Sequence, residues 1–227
     1  MTNSLLQSLQ HGLIVSCQAY PPNPFAGPHF MAAFAQAATM AGAVGLRVNG
    51  ADDVAAVHAV SPLPIIGIVK EQTDGFPVYI TPSLAAARAV VDAGAQIVAI
   101  DATHRSRASG ATPEALIRAI RQELGVLVMA DVDTLEEGRL AAAAGADVVA
   151  STLAGYTPAR AASAGPDFAL LAELVAALDT PVICEGRIHT PADVRAALDI
   201  GAHAVVVGTA ITNPLVIAQG FVEATRA

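Results

Sequence analysis

Two charged side chains in this sequence, Lys70 and Glu185, could act together as a base and an acid. Each follows a short apolar run: Lys70 comes after Ile65-Ile-Gly-Ile-Val69, and Glu185 comes after Pro181-Val-Ile-Cys184. A lysine at a strand end often only extends its ammonium group to water. At a partly desolvated site, however, its pKa falls towards neutrality, which suits a base that removes a proton from carbon. The two residues therefore predict proton transfer at one carbon of a substrate.

Polar residues also end the other apolar runs of the chain. A polar residue is common wherever a strand leaves a core, but this set combines cations, carboxylates and an amide. Parallel strands end at the same edge of a sheet, so we expect these side chains to surround one site. The remaining candidates are Gln18, Arg47, Asp101, Asp131, Ser151, Thr152, Gly208 and Thr209.

Two glycine-containing turns, at residues 185–187 and 208–210, favour a phosphate site. Glycine lets backbone N–H groups approach an anion closely, and barrel enzymes frequently bind phosphate after their last two strands. Two ordinary turns between strand and helix would carry the same glycines and stay as the alternative. The expected donors are the backbone N–H groups of Gly186, Arg187, Gly208 and Thr209.

Other kinds of site find little support in the sequence. The six histidines form no His-x-His or His-Glu-x-x-His pair, and neither Cys17 nor Cys184 has a partner at metal-ligand spacing. We therefore predict no metal and no other cofactor. No Gly-x-Ser-x-Gly turn supports acyl transfer. The two cysteines fit a reduced compartment, and the amino-terminal segment lacks a signal pattern, so we expect a cytoplasmic protein.

The charge of the chain excludes several classes of partner. Twelve Lys and Arg residues against 20 Asp and Glu residues give a formal net charge of −8, with no basic run. Such a surface repels nucleic-acid phosphates and anionic lipids. The apolar runs are far shorter than the ~18 residues that a membrane span needs. We expect a small-molecule substrate, no nucleic-acid or membrane partner, and a homodimer as a compatible assembly.

Eight apolar runs rich in Val, Ile and Leu alternate with Ala-rich stretches along the chain. Continuous apolar character is typical of parallel strands buried on both faces. Eight strand-helix units at about 28 residues each predict one α/β domain, a (β/α)8 TIM barrel spanning residues 1–227. An open doubly wound sheet is the alternative, but the Gly-rich loop that normally follows its first strand is not present.

The predicted helices carry start and stop signals. Thr-Pro pairs beginning at Thr81, Thr112 and Thr190 predict helix starts with a threonine cap, and residues 134–137 match a capping box. Four glycines placed just before a strand predict helix ends, and their spacings of 52, 51 and 56 residues indicate a repeating quarter barrel. These glycines are Gly42, Gly94, Gly145 and Gly201.

Strand periodicity predicts where Lys70 and Glu185 point. Side chains two residues apart share a face, so Lys70 lies on the face of Ile66 and Ile68, and Glu185 on that of Ile183. A charged group does not enter the apolar layer under the helices, so both should face the barrel axis. Their strands, the third and the seventh, lie opposite each other in a ring of eight. The two groups would thus approach a substrate from opposite sides.

Nine motifs in order make the chain similar to one enzyme family. They are Ser16-Cys-Gln-Ala19, Gly45-Leu-Arg47, Gly67-Ile-Val-Lys70, Ile100-Asp-Ala-Thr103, Met129-Ala-Asp131, Thr134-Leu-Glu-Glu-Gly138, Gly155-Tyr-Thr157, Glu185-Gly-Arg187 and Val207-Gly-Thr-Ala-Ile-Thr212. Together they resemble the N-acylglucosamine-6-phosphate 2-epimerases, also called N-acetylmannosamine-6-phosphate 2-epimerases. The chain departs from the family at residues 71–73, Glu-Gln-Thr instead of Arg-Asp-Tyr, and at residues 107–110, Arg-Ala-Ser-Gly instead of Arg-Pro-Asp-Gly.

The resemblance implies a (β/α)8 barrel of the ribulose-phosphate-binding type. It also implies interconversion of N-acetylmannosamine 6-phosphate and N-acetylglucosamine 6-phosphate in sialic acid and amino-sugar catabolism, without metal or nucleotide. Catalytic roles then fall on Lys70 and Glu185, and phosphate binding on residues 186–187 and 208–209. A non-catalytic phosphosugar-binding barrel and a Schiff-base lysine aldolase stay as alternatives. The implied substrate-binding residues are Gln18, Arg47 and Asp131, and Thr152 is a further candidate at a strand end.

Overall fold

The computed structural model describes residues 2–226 and contains a closed barrel of eight parallel strands. The strands pair in chain order, and the first pairs with the eighth. This confirms the predicted (β/α)8 barrel over the open sheet. The strands are β1 (Leu13–Cys17), β2 (Gly45–Asn49), β3 (Ile65–Ile68), β4 (Ile97–Asp101), β5 (Leu127–Asp131), β6 (Val148–Ala150), β7 (Val182–Glu185) and β8 (Ala204–Val207).

Helices connect the strands and cover the outside of the barrel. The α-helices are α1 (Thr2–Leu9), α2 (Pro28–Met40), α3 (Ala51–His58), α4 (Leu84–Asp92), α5 (Pro113–Ala119), α6 (Leu135–Ala143), α7 (Phe168–Ala177), α8 (Pro191–Ile200), α9 (Thr209–Thr212) and α10 (Pro214–Ala224). A π-helical turn (Ile120–Leu124) extends α5, and a 3-10 turn (Ser151–Leu153) follows β6. None of the helices within residues 2–226 is long and apolar enough to cross a membrane.

The core consists of two apolar layers. One layer, inside the barrel, includes Ile66, Ile68 and Ile183, and the other lies between the strands and the helices. The side-chain alternation along β3 and β7 is therefore as predicted, and the residues that continue it, Lys70 and Glu185, reach the open end of the barrel interior.

Most of the predicted helix signals are confirmed. The side chains of Thr112 and Thr190 accept hydrogen bonds from the third residue beyond them, as caps do. Two predictions were wrong. Ser83 caps α4, because the Thr81 hydroxyl instead donates to the carbonyl of Ala99, 2.6 Å away, and ties the segment between β3 and α4 to β4. At α6, Thr134 accepts from the Glu137 N–H, but the Glu137 carboxylate binds His104, so the capping box is only half formed.

Candidate active site

A cavity of about 460 Å³ opens at the carboxyl ends of the strands. Most of the side chains predicted at this edge line it, so the structure gathers residues from all parts of the chain into one site. The exceptions are Asp101, Asp131 and Ser151, which are buried and lie outside the cavity lining. The predicted residues that line the cavity are Gln18, Arg47, Lys70, Thr152, Glu185, Gly186, Arg187, Gly208 and Thr209.

A buried ion network forms the floor of the site. The Arg47 guanidinium donates two hydrogen bonds to the Asp131 carboxylate, at 2.5 and 3.1 Å, and one to the Glu185 carboxylate, at 2.5 Å. Arg47 is 1% exposed, so these charges interact with little screening by water. The paired carboxylates therefore hold Arg47 in one orientation beneath the cavity.

Asp131 lies behind Arg47 and does not face the cavity in this structure. It ends β5 and also accepts a hydrogen bond from the Thr152 hydroxyl, 2.6 Å away. The same hydroxyl lies 3.3 Å from a Glu185 carboxylate oxygen. In this structure Asp131 orients Arg47 and Thr152, and its contact with a substrate stays a prediction.

Glu185 ends β7 and is suited to exchange protons near neutral pH. Burial, together with the neighbouring Asp131 carboxylate, raises the pKa of Glu185 to about 7, against the lowering effect of Arg47. The Ser151 hydroxyl fixes the backbone here, since it donates to the Glu185 carbonyl and accepts from the Glu185 N–H. A carboxyl group with such a pKa can serve as either acid or base.

Lys70 extends from the end of β3 into the cavity. Its backbone N–H donates to the Asn49 side chain at 2.7 Å, and its backbone pairs with Ile80 in an isolated bridge. The side chain is exposed to the open cavity, but the surrounding walls and the nearby Arg47 cation lower the pKa of Lys70 below the ordinary lysine value. Lys70 is also the only lysine among the 227 residues of the chain.

The turn after β7 presents backbone in an uncommon conformation. Gly186 and Arg187 have φ angles of +112° and +53°, and the second value is rare for a residue with a side chain. The Arg187 guanidinium lies over the Tyr156 ring, 5.1 Å from its centroid, and donates to the segment between β6 and α7. This side chain therefore anchors that segment, a role that the sequence did not indicate. Its acceptors are Ala154, Ser163 and Gly165.

The turn after β8 packs tightly against β1. The Thr212 hydroxyl, at the end of α9, donates to the Ser16 carbonyl at 2.7 Å. A Cβ atom placed on Gly208 would lie 3.3 Å from the Cβ of Ser16, so a larger residue would crowd this wall. The first N–H groups of α9, at residues 209–210, lie at the start of a helix, where intrahelical partners are lacking.

Several cavity residues were not predicted. Tyr20 and Asn23 follow β1, and the Asn23 amide donates to the Asn213 side chain at 3.1 Å, which joins two segments 190 residues apart. No local pattern identifies such residues, because loops bring them to the cavity after the barrel has closed. His189 lines the cavity, whereas His104 is held elsewhere by two glutamates. The other unpredicted lining residues include Tyr79, Tyr156 and Ile188.

The fold and the site together define a class of protein. A closed (β/α)8 barrel has its reactive groups at the carboxyl ends of the strands. Here those groups are a lysine with a lowered pKa, a glutamate with a raised pKa and a buried arginine. This combination is suited to acid–base catalysis and defines the protein as a barrel enzyme.

Comparison with known proteins identifies the family. A family model described as "Putative N-acetylmannosamine-6-phosphate epimerase" matches residues 31–227. Relatives named as N-acetylmannosamine-6-phosphate 2-epimerases in Cutibacterium acnes and Thermosynechococcus vestitus are 48% and 46% identical. Each alignment covers 99% of this chain and 98% or 97% of the relative. The chain therefore belongs to the N-acetylmannosamine-6-phosphate epimerase family.

A solved structure supports the same assignment. The N-acetylmannosamine-6-phosphate 2-epimerase from Clostridium perfringens is 42% identical and superposes with a TM-score of 0.93, over 97% of this chain and 96% of that chain. A thiamine phosphate pyrophosphorylase from Pyrococcus furiosus, 16% identical with a TM-score of 0.61, shares the fold alone.

Proposed function

We propose that this protein interconverts N-acetylmannosamine 6-phosphate and N-acetylglucosamine 6-phosphate by removing and returning the proton at C2. The main support is the pairing of Lys70 and Glu185 around one cavity, with pKa values moved towards neutrality from opposite sides. Membership of the epimerase family supplies the substrate class. A phosphorylated substrate does not cross membranes freely, so we place the reaction in the cytoplasm, as the cysteine usage predicts.

The reaction depends on the acidity of the C2–H bond of the sugar. The C2–H bond is acidic only when C1 is an aldehyde, so the open-chain form reacts. Neutral Lys70 takes the C2 proton, the electron pair of the C–H bond moves into an enolate, and a proton then returns to the opposite face of C2. Arg47 and Gln18 stabilise negative charge on the substrate oxygens. Protonated Glu185 acts as the acid or orients a hydroxyl group.

Proton NMR in deuterium oxide tests this reaction. We expect N-acetylmannosamine 6-phosphate to yield N-acetylglucosamine 6-phosphate with deuterium at C2, at a rate that a chelator does not change. Partial retention of the original proton is compatible with a single base that carries it from one face of C2 to the other. Loss of turnover on chelation, or complete retention of the C2 proton, would contradict the proposed mechanism.

Borohydride trapping separates this mechanism from Schiff-base chemistry. An aldolase forms an imine with its lysine, and reduction makes that link permanent. Because Lys70 is the only lysine, an adduct would be found at one defined side chain by mass spectrometry. We expect turnover without any adduct on Lys70. An adduct would favour the aldolase, and binding without turnover would favour the non-catalytic barrel.

We further propose that the turns at residues 186–187 and 208–209 bind the 6-phosphate. The chain has a net charge of −8, so attraction has to come from local N–H groups and not from the overall field. In the Gly208→Val variant the new methyl groups would enter the narrow space beside Ser16. We expect a folded variant whose kcat/KM for the phosphorylated sugar falls about 10–100-fold, the effect of losing charge-assisted hydrogen bonds.

The comparison substrate is unphosphorylated N-acetylmannosamine, whose kcat/KM should change far less. Circular dichroism checks folding, and Gly220→Val in α10 is the control for adding the same side chain away from the cavity, because a Cβ atom at Gly220 meets no atom within 4 Å. Analytical ultracentrifugation checks that this control keeps the assembly of the wild type. If folded Gly208→Val kept its preference for the phosphorylated sugar, the phosphate would bind elsewhere on the cavity wall.

A homodimer is the assembly that we propose. Helix α10 has no buried residue and exposes several large apolar side chains, of which Phe221 is 75% exposed. A second copy of the chain would bury this face, since the interfaces of homodimers are more apolar than the rest of the protein surface. We expect Phe221→Glu to produce a monomer in analytical ultracentrifugation, whereas Met40→Glu, at an 88% exposed position on α2, leaves the dimer intact. A monomeric wild-type protein would contradict the proposal.

A further inference from the structure

Tyr20 lies where it contacts both a predicted base and a predicted substrate-binding residue. The Lys70 Nζ atom lies over the Tyr20 ring, 5.2 Å from its centroid. The Tyr20 hydroxyl donates to the Gln18 Oε1 atom at 2.8 Å. Both ends of this side chain, the ring face and the hydroxyl, are therefore engaged at the cavity.

The local sequence explains this placement. Ser16 lies in β1, Gln18 and Tyr20 follow the strand at the same spacing of two residues, and all three side chains line the cavity. The Gln18 Nε2 atom donates to the Ser16 hydroxyl at 2.6 Å, so a chain of hydrogen bonds runs from Ser16 to Tyr20. Burial raises the pKa of Tyr20, which keeps its hydroxyl protonated and able to donate.

Lys70 needs such a contact because little else holds its side chain. Its backbone is fixed by Asn49, but four rotatable bonds separate that backbone from Nζ, and the side chain is exposed to the open cavity. A base has to sit within hydrogen-bond reach of the proton that it removes. The face of an aromatic ring attracts an ammonium group, so the Tyr20 ring gives Lys70 a defined position whenever it is protonated, before it loses its own proton and after it takes the C2 proton.

We propose that Tyr20 is a positioning residue, whose ring holds the Lys70 amine at the reacting carbon and whose hydroxyl holds Gln18 against the substrate. The proposal rests on the proposed function, because it assumes that Lys70 is the base. The proposal assigns a different effect to each part of the Tyr20 side chain. The ring affects the rate of the chemical step, and the hydroxyl affects substrate binding.

Two variants test whether the ring and the hydroxyl of Tyr20 have these separate roles. Tyr20→Phe keeps the ring and removes the hydrogen bond to Gln18, so we expect kcat to stay close to that of the wild type while KM rises about 2–10-fold, the effect of one hydrogen bond. Tyr20→Leu removes the ring as well, and we expect kcat to fall about tenfold, the effect of losing the cation–π contact that positions the base. Equal kcat values in the two variants, whether high or low, would overturn the proposal.

A measurement that does not depend on turnover examines the contact itself. Because Lys70 is the only lysine, protein labelled with [ε-¹³C]lysine gives one lysine CεH2 signal. We expect the Tyr20 ring to move this signal upfield of free lysine in the wild type and in Tyr20→Phe, but not in Tyr20→Leu. The same signal position in all three proteins would overturn the proposed contact. An inactive wild type that shows the shift would instead count against epimerase activity and leave the contact established.

Discussion

Lys70→Ala lowers kcat by at least about 100-fold, the low end of the effect expected when a positioned general base is removed. The substrate still binds, because Arg47 and the two glycine-containing turns are unchanged by this substitution. Initial rates of conversion of N-acetylmannosamine 6-phosphate measure kcat, and isothermal titration calorimetry measures substrate binding. A variant with the wild-type rate would remove Lys70 from the mechanism.

Two further substitutions show whether Lys70 acts as a base or only as a positive charge. Lys70→Arg keeps a cation at the cavity, but a guanidinium has a pKa above ~12 and does not accept a proton near neutrality. We expect it to be as inactive as Lys70→Ala. Glu71→Gln is the matched control, since the neighbouring Glu71 is exposed and does not line the cavity. If Lys70→Arg were active, charge stabilisation and not proton removal would be the role of Lys70.

The barrel was predictable because each local signal pointed to the same architecture. Continuous apolar runs, caps such as Thr190 and the four regularly spaced glycines all require a strand and a helix in alternation. The wrong predictions concern side chains with a choice of partners. Thr81 is a good helix cap in isolation, but in the closed barrel its hydroxyl reaches the Ala99 carbonyl on the next strand. Whether the hydroxyl caps a helix or binds another strand depends on tertiary contacts, which a local sequence pattern does not show.

In the candidate site, too, some residues could be identified from the local sequence and others only from tertiary contacts. Lys70 and Glu185 were identifiable because a charged side chain at the end of an apolar run does not enter the apolar layer under the helices. It points instead to the open end of the barrel interior. Asp101 and Asp131 instead pair with Arg105 and Arg47 and are fully buried, which keeps both carboxylates out of the cavity lining, and these pairings required the structure. Tyr20 carried no signal in the sequence, since its role depends on a lysine 50 residues away.

Arg47→Met destabilises the protein by about 3–5 kcal/mol, the cost of removing one partner from a buried ion pair. Asp131 is fully buried and would lose two hydrogen bonds from the guanidinium, so its charge would be held by little more than the Thr152 hydroxyl. Urea unfolding measures the loss. The control is Arg88→Met, which breaks an exposed pair with Glu123 and should change stability by less than ~0.5 kcal/mol.

A double variant distinguishes an unpaired charge from a simple loss of packing in Arg47→Met. Adding Asp131→Asn removes the uncompensated buried charge and should restore roughly 1–3 kcal/mol of the lost stability, the range of coupling between residues in contact. A loss of stability that Asp131→Asn does not reduce would mean that Arg47 stabilises the barrel by filling space, and that the carboxylates are not held by its charge.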